Sequence, residues 1–210
     1  MTFRSASLVV GVLALAVVWS DAVRELSARS FAVHMTVHMT VVAIAAPLIA
    51  AALAGSAADP SRRVPWLFLA IPASLVELIV VWTWHAPVLH HAARHSAPLF
   101  IVEQGSFLVA GLMLWLSVLG HSVASRRDSA GTGIVALLLT FAHMTLLGAL
   151  LALTPRPLYH ASGDPGMMTP LADQQLGGTI MLVVSALSYI GGGLWLGRRL
   201  LQSPRPAGTS

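Results

Sequence analysis

The 210-residue chain contains no cysteine. That excludes disulfides, thiolate-bound metals, iron–sulfur clusters and cysteine nucleophiles, so a site for a soft metal has to be built from methionine and histidine. Lysine is absent as well: all 12 basic residues are arginine. Charge is scarce altogether, at 10% of residues against 56% hydrophobic, and the mean hydropathy is +0.79. A soluble domain cannot cover its surface with so few charges, and apolar runs of about 20 residues mark bilayer spans. No basic stretch is interleaved with aromatics, which excludes nucleic-acid binding despite a net charge of +4. Catalytic signatures are missing too. The sequence has no HExxH, no GxSxG, no Walker loop and no repeated carboxylate–histidine pattern of a di-iron bundle. It reads as a non-enzymatic membrane protein.

What is present is apolar and periodic. Six runs, at about 5–20, 33–53, 65–84, 99–120, 131–153 and 175–197, predict an all-α, polytopic transmembrane bundle forming one domain over 1–202. A Pro/Gly/Ser-rich tail at 203–210 is expected to be disordered. The first run is the weakest. It ends at Ser20-Asp21-Ala22, which fits a small-x-small cleavage site, but the reading adopted keeps it as a span. Pro47 and Pro72 fall inside the second and third runs, where each removes a helix hydrogen bond and can bend its helix. Gly177, Gly178 and Gly191 to Gly193 permit close packing of the last one.

Arginine sets the expected orientation. The N-tail, the loops at 54–64 and 121–130 and the C-tail hold eight arginines; the opposite side holds four, Arg24, Arg29, Arg94 and Arg156. The excess puts both termini in the cytoplasm. Of the nine histidines, seven (His34, His38, His85, His90, His91, His95 and His160) then fall at the outer face, His143 inside the fifth run and His121 in a cytoplasmic loop. Such one-sidedness points to a site. His121 and His160 read as solvated loop residues.

His34 and His38 in "HMTVHMT" are four apart, so they share one helix face, and Met35 and Met39 repeat the spacing on the adjacent stripe. Imidazole suits copper, zinc, iron and nickel; thioether selects copper, above all Cu(I). The alternative is that the methionines pack the core or face lipid and the histidines sit among headgroups. Within the runs, Glu103 is expected roughly 6 Å deep, Glu77 roughly 10 Å and His143 roughly 15 Å, from their distances to the outer run ends. Met144, Thr140 and Thr145 are near His143 in sequence. Ionisable groups in a bilayer face the bundle interior and are functional by default, although a Glu–His pair can also serve only to join helices. The loop "WHAPVLHHAARH" (84–95) carries four histidines, fit either to capture metal or to lie at the interface beside Trp82 and Trp84. Asp173 opens the last run and can cap that helix, on the same side as the polar cluster.

Four segments together resemble one family. "HMTVHMTVVAIAAPLIAAALAG" (34–55), "WHAPVLHHAARH" followed by "EQGSFLVAGLMLW" (103–115), "AHMTLLGALLALTPRPLY" (142–159) and "DQQLGGTIM" (173–181) are similar, in order, to the integral-membrane CtaG family of multi-span cytochrome c oxidase assembly factors. The resemblance implies a bacterial inner-membrane protein that helps mature a haem–copper oxidase, with oxidase subunits and the lipid bilayer as partners and copper as the metal supplied. By motif match it carries over His34, His38, His85, Glu103, His143 and Asp173. Glu77, Met35, Met39 and Met144 join them from the reading of the residues. Two alternatives stay open at this point: a haem-binding or redox membrane protein, and a purely structural chaperone without metal.

Overall fold

A computed structural model describes residues 2–120, 126–159 and 168–202, with the backbone alone at 126–129. His121, His160 and the tail at 203–210 lie outside the described residues, as do the side chains of Arg126 and Arg127. Among the described residues the chain is all-helical, a polytopic bundle with no strand. We number the helices α1 (Phe3–Val18), α2 (Asp21–Arg29), α3 (Phe31–Leu53), α4 (Ala70–Trp84), α5 (Pro87–His95), α6 (Ala97–Leu119), α7 (Arg126–Leu153) and α8 (Pro170–Gln202).

Four of them, α3, α6, α8 and the Ala130–Leu153 part of α7, are long and apolar enough to cross a bilayer alone. The other two candidates qualify only as bent pairs, α1 with α2 (57°) and α4 with α5 (75°). Composition explains both bends. Asp21, Arg24, Glu25 and Arg29 make α2 too polar for hydrocarbon, and α5 carries Arg94 and three histidines. The chain therefore turns where polarity begins, and the two short helices roof one end of the bundle. The side chains that face outward along α1, α4, α6, α7 and α8 are apolar, Leu13, Ile79, Val109, Leu150 and Leu187 among them, as lipid requires.

Helix α3 is the centre of the bundle and packs on α1, α6 and α8. It stays continuous through Pro47 by widening to a π-helical turn at Val41–Ala45. Proline has no N–H, so one donor is missing from this turn, where the carbonyls of Ala43 (four residues back) and Val42 (five back) lie. Each is supplied from another helix. Ser188 Oγ of α8 donates to Ala43 O (2.8 Å), and Trp115 Nε1 of α6 donates to Val42 O (3.2 Å). Ser188 itself belongs to a second π turn, Ala186–Ile190. Two cross-links thus hold α3 to its neighbours beside Pro47. Pro72 lies at the very start of its helix. The third run begins as a 3-10 turn, Pro65–Phe68, and α4 starts only at Ala70, so Pro72 occupies the first turn, where an N–H has no intrahelical partner anyway.

Helix α8 approaches both neighbours at a glycine pair. A Cβ on Gly178 would stand 2.6 Å from Ala152 N and 2.7 Å from Gly148 O of α7; one on Gly177 would stand 2.4 Å from the Phe31 ring of α3. This contact sets the start of α3, and with it the histidines one turn further on.

Candidate metal centre

The roofed end of the bundle gathers the polar side chains. Ser30 caps α3, accepting from Val33 N, and the first turns then point His34 and His38 into the bundle interior. His34 is 2% exposed and Glu103, in the second turn of α6, is fully buried. His34 Nε2 lies 3.3 Å from Glu103 Oε1. Helix α5, roofing this pair, brings down His90, whose ring meets that of His34 edge-on at 4.7 Å between centroids. One ligand atom from each of His34, His90 and Glu103 falls within a 4.8 Å sphere of mutual distances. Two ligands bound to one ion at tetrahedral angles lie about 3.3 Å apart, so small side-chain rotations bring this set onto a common centre.

Hydrogen bonding makes the set suitable for an ion. Ser27 of α2 meets His34 Nδ1 at 3.2 Å. The hydroxyl can accept from a protonated Nδ1, the tautomer that leaves Nε2 free to present its lone pair. Gln104 Nε2 donates to Glu103 Oε2 (3.2 Å), fixing that carboxylate, while Oε1 and both ring nitrogens of His90 have no hydrogen-bond partner. Unsatisfied buried polar atoms cost about 1–3 kcal/mol each. A bound cation would engage Oε1 and one of the two His90 nitrogens. Two imidazoles and a carboxylate are a donor set that divalent copper or zinc accepts.

A second layer lies one helical turn deeper. His38 is fully buried between the rings of Phe107 (4.0 Å) and His85 (5.4 Å), and neither of its nitrogens has a hydrogen-bond partner. His85 Nδ1 meets Val81 O at 2.7 Å, and its Nε2 lies 3.5 Å from the thioether sulfur of Met35. Tyr159 locks the layers together. Its hydroxyl donates to His85 O (2.7 Å), and its ring stacks on Phe31 (4.6 Å) and packs against His90 (4.4 Å).

The remaining candidates from the sequence lie elsewhere. Asp173 turns away from its own helix, which Thr169 caps, and accepts from Ser30 Oγ (2.7 Å), Phe31 N (2.6 Å) and Ala32 N (3.1 Å) at the start of α3. Glu77 forms a separate cluster deeper in the bundle, accepting from Tyr189 (2.9 Å) and Thr140 (3.5 Å). His143 is buried with both nitrogens unpartnered, and Met39 and Met144 pack in the apolar core. In the sequence His90 stands only as one of the four histidines of the 84–95 segment. The signal that singles it out is its spacing from Arg94: four residues apart, the two share the inward face of α5, and His91 and His95 share the outward one.

A family model described as cytochrome c oxidase caa3 assembly factor (Caa3_CtaG) matches residues 2–203, nearly the whole chain. The chain belongs to this family. No curated protein and no solved structure matches it. Membership makes it a membrane-embedded factor in the assembly of cytochrome c oxidase, with the oxidase as its partner. Two of the four sequence segments that resemble the family contribute all three residues of the upper layer and all three of the lower one.

Proposed function

We propose that this assembly factor holds copper as cargo in the cluster of His34, His90 and Glu103 and hands it to an oxidase subunit without catalysing a reaction. Three buried ligand atoms from three different helices, within 4.8 Å of one another and with three hydrogen-bonding sites unused, carry this reading. Below them Met35, beside His38 and His85, offers one softer donor, which favours copper over zinc. The arginine asymmetry supports a periplasmic location for this end of the bundle.

Copper content per chain in detergent-purified protein tests the assignment. The His34→Ala/His90→Ala double variant and Glu103→Gln are expected to lose the metal, and His34→Ala/His38→Ala to lose it as well. A His34→Ala/His90→Ala variant that folds and keeps its full copper content refutes the ligand set. An absorption spectrum with a Soret band would replace copper by haem, and co-purification of oxidase subunits without any metal would favour a structural chaperone.

A further inference from the structure

Helix α5 has two faces with different work. Its inward face carries His90 to the buried cluster and Arg94, whose guanidinium donates from Nε and Nη2 to Ala28 O at the end of α2. That double contact pins α5 as a roof. The outward face carries His91 and His95, both exposed, one turn apart, with ring centroids 4.4 Å from each other. Two imidazoles bound at adjacent corners of a tetragonal ion would hold their centroids about 4.5 Å apart, and tetragonal nitrogen sites are those of Cu(II). The pair is therefore spaced for an ion that neither ring is buried enough to keep.

Its position matters as much as its spacing. Two cavities of about 130 Å³ each open beside Arg94. One reaches His34 and the other reaches His90, and His95 lines both. An ion released from the outer pair therefore stands beside a cavity that reaches each of the inner imidazoles.

We infer that His91 and His95 form a second, solvent-facing copper site that captures Cu²⁺ and feeds it, with no change of oxidation state, to the buried cluster. The inference rests on the copper reading of that cluster. Capture at an exposed pair keeps the ion at high local concentration beside the entrance, which raises the loading rate without altering the final occupancy.

Full-length protein in detergent, purified without a polyhistidine tag and titrated with Cu²⁺, separates the two sites. In the His34→Ala/His90→Ala/Glu103→Gln background the outer pair remains, and electron paramagnetic resonance is expected to show bound Cu²⁺ with nitrogen hyperfine structure. Adding His91→Ala/His95→Ala should abolish that signal. Both substitutions are on an exposed helix face, where alanine is well tolerated. A background variant that shows no nitrogen-ligated Cu²⁺, or whose signal survives loss of both outer histidines, overturns the site. With the inner cluster intact, His91→Ala/His95→Ala should slow Cu²⁺ loading by about tenfold or more while the endpoint stays that of the inner site. An unchanged loading rate overturns the feeding role. If instead the outer double variant binds no Cu²⁺ while the wild type does, the outer site stands and the reading of the inner cluster is what has failed.

Discussion

Asp173 separates a ligand from a residue that positions ligands. Its carboxylate from α8 is committed to the first turn of α3: Oδ1 accepts from Ser30 Oγ and Ala32 N, and Oδ2 from Phe31 N. The first N–H groups of a helix have no partner of their own, so this contact supplements the Ser30 cap from a distance and adds a favourable charge at the positive end of the helix dipole. Asp173→Ala strands two N–H groups and one hydroxyl in a site that is 6% exposed. Each stranded donor costs about 1–3 kcal/mol, partly recovered by water at the rim, so the expected loss is about 2–4 kcal/mol. Asp173→Asn keeps one acceptor oxygen and turns an amide donor toward an N–H, for about half that loss. Thermal unfolding of the detergent-purified variants reads the stability, and copper analysis of the folded fraction in the cold reads the ligand role. Both variants should be less stable and still bind copper. An Asp173→Ala protein as stable as wild type refutes the capping argument. An Asp173→Asn protein that keeps its stability but loses copper makes Asp173 a ligand.

Two more predictions concern packing. Ser188 Oγ supplies a donor to Ala43 O four residues before Pro47, so Ser188→Ala should cost about 1 kcal/mol in the native background and measurably less beside Pro47→Ala, where a backbone N–H enters the same turn. Equal costs in both backgrounds, read from a double-mutant cycle, would show that Ser188 acts for another reason. Gly178→Ala places a methyl against backbone atoms of α7 and should destabilise by about 1–3 kcal/mol or more, whereas Gly105→Ala, with nothing within 4 Å of the new Cβ, should be neutral or stabilising. Matching unfolding temperatures for these two variants would remove the close approach of α7 and α8 from the account.

The all-helical membrane bundle was legible because bilayer spans are written as long apolar runs, and α3, α6, α7 and α8 are such runs. The roof was not. Helices α2 and α5 are nine residues each and polar, too short and too charged to stand out from loop. That gap decided which histidines were chosen. The spacing of His34 and His38 places both on one face, which the structure keeps, but spacing along one helix says nothing of what another helix lowers onto it. Helix α5 sets His90 against His34 alone, while His38 faces Phe107 and His85. Asp173 was read at the right end of the bundle for the same reason that its direction was not. Depth follows from counting residues to the end of a run. Direction depends on the start of α3, 140 residues earlier in the chain.

Glu77 and Glu103 show how a buried carboxylate that joins helices differs from one that waits for a ligand. Both are fully buried, and both lie in helices that face the bundle interior. Glu77 has a hydrogen bond to each oxygen, from Tyr189 on α8 and Thr140 on α7, and Thr140 is held in turn by Ser74. Nothing is left over, and the cluster reads as a bond between three helices. Glu103 has one oxygen fixed by Gln104 and the other facing His34 without hydrogen-bond geometry, beside a histidine with two idle nitrogens. A group whose only purpose was to join helices would be satisfied by them, since leaving it unsatisfied costs more than the contact returns. The same chain thus contains the control for its own site. Satisfied polarity at Glu77 serves packing, whereas Glu103 Oε1 and the His90 ring keep polar atoms without a hydrogen-bond partner, which is what the proposed metal site would use.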